Sequence, residues 1–364
     1  MLYFFGLMII LAVCAIYLFM HTLPFGKKAT GDRLHTIKNS PNFSKGQFQN
    51  QSFTPSLTEG TSIFSVINDF FFKKSKTNIP KQTLPSVKTN IKLPEANENV
   101  MVWFGHSSYF LQVDGKNILV DPVFSGNASP LNFTTKKFKG SDVYTPDDMP
   151  EIDYLVITHD HWDHLDYRTV IRLKPKIKRI ITGLGVGEHL ETWGFNPEII
   201  IENDWNEEVD LADGFRLFTT PSRHFSGRGF KRNQSLWMSF VLQTPNMKIF
   251  IGGDSGYDTH FKTIGERFGP FDIAILECGQ YNPYWKYIHM MPEEVVQAAI
   301  DLKATTFFPI HWSKFSLAMH AWDDPITRVT AEATRRQVTM KTGMIGEKIM
   351  LDNLNYINYW WTKI

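Results

Sequence analysis

Residues 152–158 read Ile-Asp-Tyr-Leu-Val-Ile-Thr and run directly into His159-Asp160-His161-Trp162-Asp163-His164. The first part is short, apolar and β-branched, the pattern of a buried strand. The second part gathers three imidazoles and an acid, His-x-His-x-Asp-His, at the end of that strand. A structural histidine needs one hydrogen-bond partner, not two further imidazoles beside it. Protonated, the three would repel; neutral, they are suited to a shared cation. A chain carrying this turn must therefore fold so that further donors reach the same strand end.

Such donors stand where other apolar runs stop. His224 closes Leu217 to Arg223, and His311 follows Thr306 to Ile310. Asp254 follows Lys248 to Ile251 through Gly252-Gly253, glycines that let backbone approach a crowded centre. Further strands are expected at Val100 to Phe104, Arg179 to Thr182, Leu236 to Gln243 and Asp272 to Leu276. A hairpin is expected around Asp114-Gly115. Helical patterns lie between, at Tyr167 to Leu173, Gly187 to Trp193, Thr259 to Phe268, Pro292 to Leu302 and Pro325 to Gln337. Strands alternating with helices indicate a layered α/β domain over residues 100–354.

The other end of the chain differs. Leu2 to Met20 contains no charge and matches the thickness of a bilayer core, so residues 1–22 are expected to form a transmembrane anchor. A cleaved signal peptide is disfavoured by the absent basic n-region and the missing small-residue cleavage site. Lys27, Lys28, Arg33 and Lys38 follow the run and none precedes it, which puts the domain on the cytoplasmic side. Residues 23–99 form an extension with one amphipathic segment, Ser62 to Lys74, either packed on the domain or lying in a lipid interface. The aromatic tail, 355–364, is either a packed last strand or a headgroup-level contact.

Taken together, His159, His161, Asp163, His164, His224, Asp254 and His311 resemble the metallo-β-lactamase superfamily of binuclear zinc hydrolases. The resemblance implies a four-layer αβ/βα sandwich (α/β, α+β) with the metals at one edge of its two sheets, here preceded by the transmembrane helix. It implies one ion on His159, His161 and His224, a second on Asp163, His164 and His311, and Asp254 between them. Two Zn²⁺ are expected, with Fe or Mn as alternatives. An acid at Asp254, where dizinc β-lactamases carry cysteine, implies the glyoxalase and phosphodiesterase branches. Longer stretches, among them 103–107, 120–125, 253–257 and 267–272, are similar to the N-acyl-phosphatidylethanolamine-hydrolysing phospholipase D group and to ascorbate-6-phosphate lactonase-like bacterial relatives.

That similarity implies metal-activated hydroxide attacking a phosphodiester. It also implies that Asp163 and Asp254 belong to the catalytic centre and that His289 protonates the leaving group, the alternative for His289 being a loop histidine with a structural hydrogen bond. Asp121 is then an acid that orients a ligand histidine, its alternative being a turn carboxylate in Asp-Pro. His106 reads as pocket wall or structure, and Asp166 as a helix cap. The expected partner is a phospholipid or a small phosphate ester, with the membrane held by the N-terminal helix. A lactonase or soluble phosphate-ester hydrolase is the alternative enzyme, and a non-catalytic membrane scaffold the alternative of another class. Lys+Arg 38 against Asp+Glu 37, with no basic arm, argues against nucleic acid. Two cysteines, Cys14 and Cys278, exclude a disulfide framework. Nothing in the sequence sets an oligomeric state.

Overall fold

The computed structural model describes residues 2–92, 98–353 and 356–364; the boundary expected between 354 and 355 lies outside them. Two mixed sheets face one another. The first has seven strands in the spatial order Lys348–Met350, Val100–Trp103, Tyr109–Val113, Lys116–Val120, Ile152–Ile157, Ile177–Gly183 and Ile200–Asn203. Its first four are antiparallel neighbours and its last four run parallel. The second has six, ordered Phe307–Ile310, Ile273–Glu277, Lys248–Ile251, Ser239–Gln243, Arg216–Thr220 and Glu208–Asp210.

Alternation along the strands divides the apolar residues between two layers of packing. Trp103, Leu111, Val120, Val156 and Ile181 of the first sheet join Leu217, Phe240 and Leu242 of the second in one buried cluster. Their alternates Val102, Phe110, Leu119, Leu155 and Ile180 pack instead with Val170, Leu173 and Leu190 of the helices Tyr167–Leu173 and Gly187–Thr192. Phe261, Val295, Val296, Ile326 and Val329, from the helices His260–Phe268, Pro292–Asp301 and Asp324–Arg336, cover the far face of the second sheet. The result is the helix–sheet–sheet–helix sandwich that the resemblance implied.

Several local expectations need correction. The strand expected from Leu236 begins at Ser239, because Leu236 and Met238 donate their N–H groups to the carbonyls of Leu184 and Thr158, just past the ends of two strands of the other sheet. The tail is not a strand: Trp360–Lys363 is a 3₁₀ turn. Trp360 and Trp361 are buried, and Trp360 stacks on Trp312 at 5.3 Å, so apolar stacking fixes the tail inside the domain.

The extension is woven into the domain. Ile37 and Phe48 are buried in the main cluster, and Arg33 pairs with Glu188, Glu191 and Glu202. By contrast, no part of the apolar window Tyr3–Met20 within the helix Leu2–Met20 is buried. The helix Ile63–Phe72 also has no buried residue, and Phe64, Phe71 and Phe72 are 80%, 73% and 82% exposed.

Where Leu2–Met20 ends, the chain is clamped. The Trp193 indole donates to the carbonyl of Leu23, and Phe25 packs edge-on against Trp162 at 5.0 Å. Arg228 is buried, stacked 3.8 Å above Trp162, and donates to the carbonyls of Pro24, Asp160 and Leu165. Arg228→Ala strands those carbonyls and is expected to cost about 2–4 kcal/mol, since each buried unpaired group costs roughly 1–3. Chemical denaturation of the variant checks this.

Candidate metal centre

The strand Ile152–Ile157 ends at the edge where its parallel neighbour Lys116–Val120 also ends, so Asp121 lies beside the histidine-rich turn. Across the sandwich, Arg216–Thr220, Lys248–Ile251 and Phe307–Ile310 deliver His224, Asp254 and His311 to the same edge. An added Cβ at Gly252 would meet the Ile275 carbonyl at 2.5 Å, and one at Gly253 the Met238 carbonyl at 2.4 Å. Only glycine lets the backbone before Asp254 pass this closely. His106, Asp121 and His311 hold positive φ of 55°, 40° and 69°, three strained backbone positions beside the cluster.

All seven residues expected as ligands come together, and His289 joins them. His159 Nε2 is 2.9 Å from His161 Nδ1, which is 3.2 Å from His224 Nε2. Asp254 Oδ2 lies 3.9 Å from His159 Nε2, 3.8 Å from His224 Nε2 and 3.2 Å from His164 Nε2. Its other oxygen is 3.1 Å from His311 Nδ1. Asp163 Oδ2 is 3.6 Å from His164 Nε2 and 2.8 Å from His106 Nε2. One carboxylate, Asp254, thus touches both halves of the cluster.

Hydrogen bonds behind the cluster fix which nitrogens turn inward. His224 Nδ1 faces the carbonyl of Ile288 at 2.8 Å, so it carries the proton and Nε2 keeps its lone pair. Thr158 donates its hydroxyl to Asp121 Oδ2 at 2.6 Å and accepts from His159 Nδ1 at 2.9 Å, leaving the lone pair on His159 Nε2. His164 Nδ1 donates to the same Asp121 oxygen at 2.7 Å. Asp121 therefore orients two histidines, one directly and one through Thr158.

Burial drives His159, His224 and His311 well below the usual imidazole range and His161 down to about 4. Burial also opposes charge on His164, but Asp254, Asp163 and Asp121 outweigh it and hold the ring well above that range. Buried His161 Nε2, His164 Nε2, His311 Nε2 and Asp254 Oδ1 find no hydrogen-bond partner among the described residues. Inward lone pairs, orphaned ring nitrogens and buried carboxylates are a donor set that fits cations.

Other residues take up positions the sequence did not disclose. Asn50 accepts from the His224 N–H and donates to its carbonyl. Ser107 Oγ lies 2.7 Å from His311 Nδ1. Glu277, wholly buried and pushed up to about 7 by burial, stands 3.6 Å from His289 Nδ1. Asp166, by contrast, caps the helix Tyr167–Leu173 as the sequence indicated, accepting from the Arg168 N–H. Tyr257, Tyr281 and Tyr284 bond to Asp301, Asp324 and Asp69, which makes them packing and anchoring residues.

The family profile described as "Beta-lactamase superfamily domain" matches residues 116–312, more than half of the chain. The chain belongs to the β-lactamase superfamily. An uncharacterized protein of Mycobacterium tuberculosis is 33% identical over 347 residues, 94% of this chain and 93% of the relative. An N-acyl-phosphatidylethanolamine-hydrolyzing phospholipase D of Caenorhabditis elegans is 32% identical over 228 residues, 59% of this chain and 64% of the relative. Among solved structures, a metallo hydrolase from Ignicoccus hospitalis superposes with a TM-score of 0.54 at 20% identity, covering 69% of this chain and 97% of that one. The superfamily membership makes this protein a metal-dependent hydrolase.

Proposed function

We propose that this superfamily member is a membrane-tethered binuclear zinc hydrolase that cleaves a phosphodiester of a phospholipid, of the N-acyl-phosphatidylethanolamine kind. The observation carrying the reading is Asp254, whose Oδ2 lies within 4 Å of His159, His224 and His164 at once. His159, His161 and His224 would hold one ion, Asp163, His164 and His311 the other, with Asp254 shared. Ions so held supply Lewis acidity that makes hydroxide available near neutral pH. Asp121 holds His164 by Nδ1 and, through Thr158, His159 by Nδ1, so that both rings present Nε2 to the centre, and His106 fixes Asp163. His289, with Nδ1 turned to Glu277, gives a proton from its other nitrogen to the departing alcohol as the phosphorus–oxygen bond breaks.

The lipid substrate is supported by the phospholipase-named relative and by the placement of the apolar helix. Nineteen residues at ~1.5 Å each span the hydrocarbon core of a bilayer. Lys27 and Lys28 then favour a cytoplasmic domain. The exposed phenylalanines of Ile63–Phe72 suit an interfacial helix.

The full chain, stripped by chelation and assayed on N-acyl-phosphatidylethanolamine vesicles, a soluble phosphodiester and a lactone, tests the reading. Turnover of the lipid should vanish with the metal and return with Zn²⁺. Robust turnover of metal-free protein rejects the mechanism, and turnover of the lactone alone rejects the substrate. Asp121→Ala should weaken metal retention and activity by about 10–100-fold, the usual scale for a residue that orients ligand imidazoles. Metal titration of the variant reads this directly.

A further inference from the structure

Beneath the end of the apolar helix lies a cavity of about 540 Å³, lined by none of the seven candidate metal ligands. Its lining mixes apolar Met20, Phe25 and Phe230 with Lys27, Lys28 and Lys231. The three lysines make no ion pair among the described residues. Asp160 is the one acid in that lining, and it is already engaged. Its Oδ1 accepts from the Gly227 N–H at 2.6 Å, and its Oδ2 from the Ser235 hydroxyl at 2.8 Å, with His189 Nε2 at 3.2 Å. The cavity therefore offers unpaired cations beside an apolar wall, with no free anion of its own.

We infer that this cavity binds the headgroup phosphate of an anionic phospholipid, with the acyl chains lying along Leu2–Met20. The inference rests on the membrane reading above. A bilayer-spanning helix that stops at Met20 brings lipid phosphates to the level of Lys27 and Lys28. Phe230, 86% exposed, extends the apolar surface beside Met20. The bound lipid is distinct from the substrate, because none of the seven candidate metal ligands lines the cavity. Asp160 joins the two regions: it stands between those histidines in the chain and contributes to the cavity wall.

Full-length protein in nanodiscs of phosphatidylcholine, with and without phosphatidylglycerol, tests this by native mass spectrometry of the lipids retained. The wild type should keep one phosphatidylglycerol in preference to phosphatidylcholine. K27Q/K28Q/K231Q should lose that preference by about 100-fold, the scale of three lysines near a charged headgroup. Equal retention of both lipids by the wild type, or an undiminished preference in the variant, overturns the inference. Inorganic phosphate is the second probe. If it protects residues 226–231 from hydrogen exchange as well as phosphatidylglycerol does, the ligand is a soluble anion and the lipid assignment fails. Resistance to carbonate extraction reads the anchor alone. Short-chain phosphatidylglycerol in detergent micelles reads the cavity alone, so the two failures are told apart.

Discussion

Asp254→Asn is expected to reduce turnover by about 10³-fold, equivalent to ~4 kcal/mol of lost transition-state stabilisation. The substitution keeps shape and volume but exchanges a carboxylate oxygen for an amide. Asp254 Oδ2 is the atom nearest to both histidine groups, and Oδ1 reaches His311. An amide nitrogen in either place turns donor hydrogens towards cation sites and removes the negative charge between them. Metal content should fall below two ions per chain, and metal-free protein should melt lower, because the amide removes a charge that holds buried His164. Elemental analysis, kcat and a thermal melt on one preparation check all three. Unchanged metal content with unchanged turnover would remove Asp254 from the centre. A membrane scaffold without catalysis would keep its lipid binding and show no turnover to lose.

Removal of residues 1–20 has the next largest expected effect, confined to one substrate class. No residue of Tyr3–Met20 is buried, so its removal costs the core nothing. Leu23, Pro24 and Phe25 must stay, because they hold Trp193, Arg228 and Trp162. The truncated chain should move to the soluble fraction and keep its rate on a soluble phosphodiester. Its rate on vesicles should fall by about 100-fold, since tethering supplies a high effective concentration. Equal vesicle turnover by both forms, with the truncated chain still pelleting with membranes, would end the anchor reading.

What the sequence disclosed follows from how strongly each residue marks its place. The strand Ile152–Ile157 and the turn after it were legible because apolar patterning and clustered imidazoles coincide. Helix Tyr167–Leu173 was legible to the residue, with its Asp166 cap. The strands Ile200–Asn203 and Glu208–Asp210 were not, being half-exposed edge pieces whose pairing comes from Ile177–Gly183 and Arg216–Thr220 rather than from their own composition. Glu277 is hidden at the end of the apolar run Ile273–Glu277, where a carboxylate reads as a strand terminus. Asn50 carries no local signal, and Ser107, though inside the stretch 103–107, shows no role of its own there, since their partners are more than 170 residues away. The docking of the extension was not legible because its anchoring contacts, Ile37, Phe48 and Arg33, are single residues in polar surroundings.

The candidate metal-binding side chains are divided between the two sheets: 159–164 follow a strand of one, and His224, Asp254 and His311 follow strands of the other. A cation there is a rivet through both halves of the sandwich, and it can seat only when they are already aligned. Ion uptake thus becomes a gauge of how the halves are registered. Damage deep between the sheets, far from any imidazole, will surface as slow or incomplete loading before the fold itself gives way.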